Sequence, residues 1–333
     1  MKVRIFDAFM ESSNAEKKIP GIHHVTAIGG NPQANIEFYS GVLGLRLVKV
    51  TVNFDDPQTY HLYYGDNVGH PGSILTFFPW PGAPRGLRGT GQATVTSFLI
   101  PEDSIAFWKD RFKKNNVKYE EPSRRFNNEE EYISFYDGDD LKLELVASSN
   151  LSASKFVPWE KASVPEKSAI HGFHSVTLTE EGYEKTASLL SDTMGFRLIK
   201  EENDRFRYEA QSSEGGAYVD LLCRPLLPRG EVLVGTVHHV AWRTTNDAQQ
   251  KEWRQKLVRV GLNVTPIIDR IYFHSIYYRE PGGVLFEIAT DPPGFAIDEP
   301  VEKLGSSLKL PPWLEPSRKV LEKALPKIQS VNK

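Results

Sequence analysis

Along this chain, short runs of alternating apolar and polar residues are separated by glycines and by one stretch of helical periodicity in each cycle, and the cycle repeats. From Gly21 a strand, GIHHVTAIGG, precedes a helix over NPQANIEFYSGVLG, and three strands follow in LRLVKVTVNF, TYHLYYGD and SILTFFPW. The same βαβββ order returns from Gly91 in ATVTSFLIP, SIAFWKDRFKKNNV, a weak strand through YEEPSRRF, EYISFYDGDD and LKLELVAS. A third module starts at His171 with HGFHSVTLTE, YEKTASLLSDTMG, FRLIKEE, RFRYEAQ and AYVDLLCR. A fourth starts at Gly235 with GTVHHVAWRTT, AQQKEWRQKLVRVG, NVTPIIDRI, SIYYREPGG and VLFEIATD. Gly44, Gly195 and Gly261 mark equivalent joints where a helix stops and a strand begins, a place that favours the left-handed conformation.

The predicted fold class is therefore α+β, with four modules paired into two half-barrels. Along the sequence this gives a polar leader (1–20), a first pair of modules (21–150), a polar linker with prolines (151–169) and a second pair (170–291). A C-terminal strap ending in a short helix (292–333) completes the division.

Adjacent residues on a strand face opposite ways, so each of the pairs His23-His24 and His238-His239 offers one imidazole to a given concavity. Aligning the first strands places His23, His174 and His238 in one column and His24, Ser175 and His239 in the next; the last strands align Thr76, Glu144, Asp220 and Glu287. If the second column faces inward, pairing modules one and four collects His24, His239 and Glu287. That set of two imidazoles and a carboxylate suits non-haem iron(II) with positions left open. The other pairings collect a single imidazole each. The first column would instead give modules three and four two histidines, and the pattern alone leaves both columns standing. A His-His pair on a strand is commonly one packed imidazole beside one exposed. Two such pairs at equivalent positions, with a Glu inside the apolar run VLFEIA, favour a metal, because a carboxylate facing a core needs a cation. Glu144 and Asp220 show that such acids also arise without a nearby histidine.

Composition narrows the chemistry. A length of 333 residues allows two domains, and a formal charge of -3 without a basic stripe argues against nucleic acid as a partner. The single cysteine, Cys223, excludes an internal disulfide or a thiolate cluster, so a metal must rely on histidine and carboxylate. No apolar run approaches the roughly 20 residues a membrane helix needs, and the leader has no apolar core; a cytoplasmic protein with no membrane partner is expected.

The stretches GIHHVTAI, FYSGVLGLRLVKVTVNFDDPQTYHLYYGD, GSILTFFPWPGA, GTVHHVAWR, DRIYFHSIYYREPGGVLFEIATDPPGF and LGSSLKLP resemble the vicinal oxygen chelate (glyoxalase and extradiol dioxygenase) superfamily. Within it the chain is most similar to the hydroquinone-type ring-cleaving dioxygenases, including chlorohydroquinone dioxygenases and bacillary quinone-resistance enzymes, from about Gly21 to about Pro316. The resemblance implies an Fe(II) cofactor, with Mn(II) as the alternative, held by His24, His239 and Glu287. It also implies catalytic support from His23, His238, Arg270 and Tyr277, with O2 and a small aromatic compound as the partners; the edge-paired sheet architecture is compatible with a homo-oligomer. A bound metal would acidify a coordinated phenol.

His61 and His70 read as structural, His274 as a residue of the mouth, and Phe54, Tyr63, Phe77 and Trp80 as candidates to line an apolar ring pocket. Two rival readings are a glyoxalase-type isomerase or thiol transferase, which usually has a second carboxylate where Thr76 stands, and a non-catalytic protein that binds aromatic compounds.

Overall fold

The computed structural model describes residues 18–149, 151, 155–211 and 216–329, so nearly all of the leader expected over 1–20 lies outside the described residues. Module one supplies β1 (Ile22–Gly29), α1 (Pro32–Ile36), β2 (Arg46–Asn53), β3 (Asp56–Gly65) and β4 (Ile74–Pro79). Module two supplies β5 (Gln92–Pro101), α2 (Ile105–Lys114), β6 (Ser123–Arg125), β7 (Glu130–Tyr136) and β8 (Lys142–Ser148). Module three supplies β9 (Phe173–Glu180), α3 (Glu184–Ser188), β10 (Arg197–Glu202), β11 (Arg205–Glu209) and β12 (Tyr218–Cys223). Module four supplies β13 (Thr236–Thr244), α4 (Asp247–Arg259), β14 (Ile268–Asp269), β15 (Phe273–Arg279) and β16 (Leu285–Pro293), and α5 (Arg318–Ala324) follows the strap. Both α1 and α3 widen into a π turn before the glycine that ends them. No described helix is long and apolar enough to cross a membrane.

The strands form two sheets of eight with the same order of parts, β14-β15-β16-β13-β1-β4-β3-β2 and β10-β11-β12-β9-β5-β8-β7-β6. In each sheet two modules meet through antiparallel first strands, while the first and last strands within a module run parallel. Modules one and four share one sheet and modules two and three the other, so the sheets cut across the division of the chain into sequential halves.

Alternation then assigns each side chain to a face. On β1, β13, β4 and β16 one face (Val25, Val240, Trp242, Leu75, Phe77, Phe286 and Ile288) joins the main apolar core, together with Ile36, Trp253 and Leu257 from the helices. The concave face carries His24, Thr26, Thr76, His239 and Glu287 among apolar and aromatic neighbours. The strap plugs one end of this concavity: Phe295 and Leu304 pack with Val48, Tyr63, Tyr272 and Phe273 in a separate cluster. It is anchored by Lys49, fully buried, whose Nζ lies 2.6 Å from both Asp298 Oδ1 and Glu299 Oε2.

Candidate active site

Register brings the two histidines and the glutamate together. Ala241 on β13 stands beside His24 on β1 and beside Glu287 on β16, and His239 lies two residues earlier on β13, on the same face. Nε2 of His24 is 3.2 Å from Nε2 of His239 and 3.3 Å from Oε2 of Glu287, and His239 Nε2 is 3.0 Å from the same oxygen. All three residues are buried.

The hydrogen bonds around them assign the imidazole tautomers. His23 Nε2 lies 3.1 Å from the Thr290 carbonyl, which can only accept, so the proton of His23 is on Nε2. Burial, reinforced by His24, pushes the His23 pKa well down and keeps the ring neutral. His23 Nδ1 is therefore a lone pair, and His24 Nδ1, 2.9 Å away, must donate to it. That leaves the Nε2 lone pair of His24 aimed at His239 and Glu287. The pair on β13 repeats the arrangement, with 2.8 Å between His238 Nδ1 and His239 Nδ1. Burial, with the neighbouring His239, pushes His238 down to about 3, so it too is neutral. When His239 presents its Nε2 lone pair, His238 accepts at Nδ1 and keeps its proton on Nε2, in a ring that lines the adjoining cavity.

Glu287 Oε1 accepts from Ser275 Oγ at 2.5 Å, whereas Oε2, fully buried, accepts no hydrogen bond from either imidazole. A buried carboxylate oxygen without a donor is costly. A divalent cation at the point where Oε2 and the two Nε2 lone pairs converge removes that cost, so the donor set fits such an ion.

The triad opens into a cavity of about 330 Å³, within the range of small-molecule sites. Phe54, Tyr63, Phe78, Trp80 and Phe273 give it aromatic walls. Tyr277 and Arg270 stand in one wall, with Arg270 Nε donating to Tyr277 Oη at 3.2 Å. Burial, outweighing Arg270, pushes the Tyr277 phenol above its ordinary value, so it stays protonated at neutral pH.

Several expectations change at this point. His61 is not merely structural: it lines the cavity, its Nε2 lies 2.8 Å from Thr76 Oγ1, and its Nδ1 lies 2.8 Å from Tyr63 Oη. Phe77 points into the core, and its neighbour Phe78 faces the cavity, one step along the alternation. His274 turns away from the cavity towards Asp247 of α4, at 2.6 Å. His70 is structural as expected, paired with Asp66 at 2.6 Å. His23 is absent from the cavity wall and touches the site only through its contact with His24. Sequence reasoning missed Ser275, Thr290 and Asp55. Ser275 alternates with Tyr277 and was open to discovery, but the Thr290 contribution is a backbone carbonyl, which no side-chain pattern announces.

The sequence profile of the glyoxalase/bleomycin resistance protein/dioxygenase superfamily matches residues 21–145 and 172–288. The chain belongs to this superfamily. MhqO of Bacillus subtilis, named as a ring-cleaving dioxygenase, is 48% identical over 309 residues, covering 93% of this chain and 96% of that protein. The chlorohydroquinone/hydroquinone 1,2-dioxygenase of Sphingobium indicum is 35% identical over 313 residues, with 90% and 94% covered. A crystal structure of a Bacillus subtilis protein described as a dioxygenase matches with a TM-score of 0.90 at 47% identity, covering 94% of this chain and 99% of that one.

This superfamily member brings a His, His, Glu cluster together in only one of its two sheets, among the described residues. In the second sheet the equivalent row holds Ser175, Ser97 and Glu144, and Val95 stands where His239 does. Its concavity is filled by ion pairs. Arg125 and Ser97 each lie 2.9 Å from Glu144, Arg207 and Arg205 hold Asp220 at 2.7 and 2.8 Å, and Glu130 joins Arg125, Arg207 and His174. Guanidinium groups there balance the carboxylates that would otherwise call for a metal. His174, from the rival column, is one of these ion-pair residues.

Proposed function

We propose that the chain is an iron(II)-dependent ring-cleaving dioxygenase that opens a hydroquinone- or catechol-type ring with O2, and that His24, His239 and Glu287 hold the metal. The observation that carries this reading is the convergence of two imidazole lone pairs and an undonated carboxylate oxygen beside an aromatic-walled cavity. Iron(II) bound there supplies Lewis acidity towards a phenolic hydroxyl and redox chemistry towards oxygen. The same hard donors accept manganese(II), and metal analysis of the purified protein distinguishes the two.

The protein's own groups orient the ring and manage protons. Phe78, Trp80 and Phe273 exclude water and confine a flat ring. Arg270 holds the Tyr277 hydroxyl, whose proton is available to an oxygen developing negative charge. His238, neutral with its proton on Nε2, is a second donor at the cavity wall. Thr76 argues against the isomerase reading. Its hydroxyl lies 2.8 Å from both Thr26 Oγ1 and His61 Nε2, so both of its hydrogen-bonding roles are taken, and a neutral hydroxyl cannot act as a carboxylate base.

Oxygen uptake by anaerobically iron(II)-loaded protein, given a panel of hydroquinones and catechols, tests the reading. Uptake by the parent and a loss of at least about 100-fold in Glu287→Ala is expected. Tight iron binding with no uptake from any ring would refute it.

A further inference from the structure

The charge of Arg270 is already matched inside the cavity wall. Its Nη2 lies 2.9 Å from Asp55 Oδ2, and its guanidinium lies 5.4 Å from the centre of the Tyr277 ring. Arg270 belongs to the turn between β14 and β15, whereas Asp55 sits at the tip of the β2–β3 hairpin. The pair therefore closes the rim between modules one and four. The Asp55 side chain is 73% exposed and that of Arg270 only 17%, so the acid faces solvent at the entrance while the cation faces inward. The tip is held in place by a second contact, Phe54 against Trp313, with ring centres 5.7 Å apart.

No other lysine or arginine lines the cavity among the described residues. His61 is held between Thr76 and Tyr63, and Glu287 is committed to the triad. A ring carboxylate entering the cavity finds no free protein cation. It must pass Asp55 and then either break the Asp55–Arg270 pair or stay without a partner, which is costly in a desolvated site. An uncharged hydroxylated ring meets aromatic faces and neutral donors only.

We propose that Asp55 is a specificity-determining residue that, by occupying Arg270, restricts the cavity to uncharged hydroxylated rings and excludes ring carboxylates. This rests on the ring-cleaving reading and names the substrate class within it. Asp55 lines the mouth of the cavity and acts through Arg270.

Calorimetric titration of oxygen-free, iron(II)-loaded protein with hydroquinone and with 2,5-dihydroxybenzoate provides the test. The metal is common to every titration, so the ratio of the two dissociation constants reads the protein's charge selectivity. The parent should favour hydroquinone at least tenfold. Asp55→Asn should shrink that ratio by about tenfold, or ~1.4 kcal/mol, by tightening the carboxylate. Asp55→Glu should restore the ratio, and adding Arg270→Met to Asp55→Asn should abolish the gain. A parent that binds both rings equally, or an Asn variant with the parent's ratio, overturns the inference and leaves the ring-cleaving reading intact. A parent that binds neither ring overturns both.

Discussion

Replacing His23 by phenylalanine keeps a ring in a site that is only 1% exposed, and it removes the acceptor that fixes the tautomer of His24. Two outcomes are then open to His24. It can keep its proton on Nδ1, leaving a buried donor unsatisfied at about 1–3 kcal/mol, or move the proton to Nε2 and lose the lone pair that faces Glu287. In either case metal binding weakens, by about 5- to 150-fold if that whole energy appears in the affinity. Removal of groups that orient metal ligands typically costs about 10–100-fold, which agrees. The assay is competition for metal against a chromophoric chelator, with the parent and the variant measured side by side. His23→Gln, whose side-chain carbonyl can accept from His24, should recover part of the loss. An affinity for His23→Phe within twofold of the parent would refute the tautomer argument, since the ring is kept and the acceptor for His24 is lost together with the bond to Thr290.

The strap gives a stability prediction. Lys49→Met leaves Glu299 buried without its cation and should cost about 3–5 kcal/mol, read from chemical denaturation; a loss below ~1 kcal/mol would show that the ion pair does not hold the strap. His70 gives a pH prediction. The hydrogen bond to Asp66 raises its pKa from 6.5, so its stabilisation is full below that unfolded value and is lost as pH rises through the higher folded one. The melting temperature of the parent should therefore exceed that of His70→Asn at about pH 5.5 and converge with it at about pH 9; a gap that persists in alkali would contradict the assignment.

The repeat was legible because strand alternation survives in every module and glycine joints in modules one, three and four, whereas the pairing of modules one and four followed only once the resemblance chose the second column over the first. The limits were local. The strand expected in NVTPIIDRI forms only at Ile268–Asp269, and YEEPSRRF only at Ser123–Arg125; each follows a proline, Pro266 or Pro122, which cannot donate to the ladder. Phe77 was misplaced by a single step: Thr76, aligned with Glu287, already set the inward face of β4, and alternation from it selects Phe78. The contribution of His61 was hidden because a histidine reveals its surroundings only through partners, and these lie on β4 and on its own strand. Asp55 could not be found at all from spacing, since its partner Arg270 is more than 200 positions away.

The crossing of modules between sheets also orders events during synthesis. Modules two and three are contiguous in the chain, and their sheet can close while module four is still unmade. His24, by contrast, waits for Glu287, about 260 positions later, which at about 5–20 residues per second is roughly 13 to 50 s on the ribosome. During that interval β1 has no antiparallel neighbour from β13, and its histidines face solvent instead of one another. The triad of His24, His239 and Glu287 is thus among the last features of the nascent protein to exist, built only when its first module is met by its fourth.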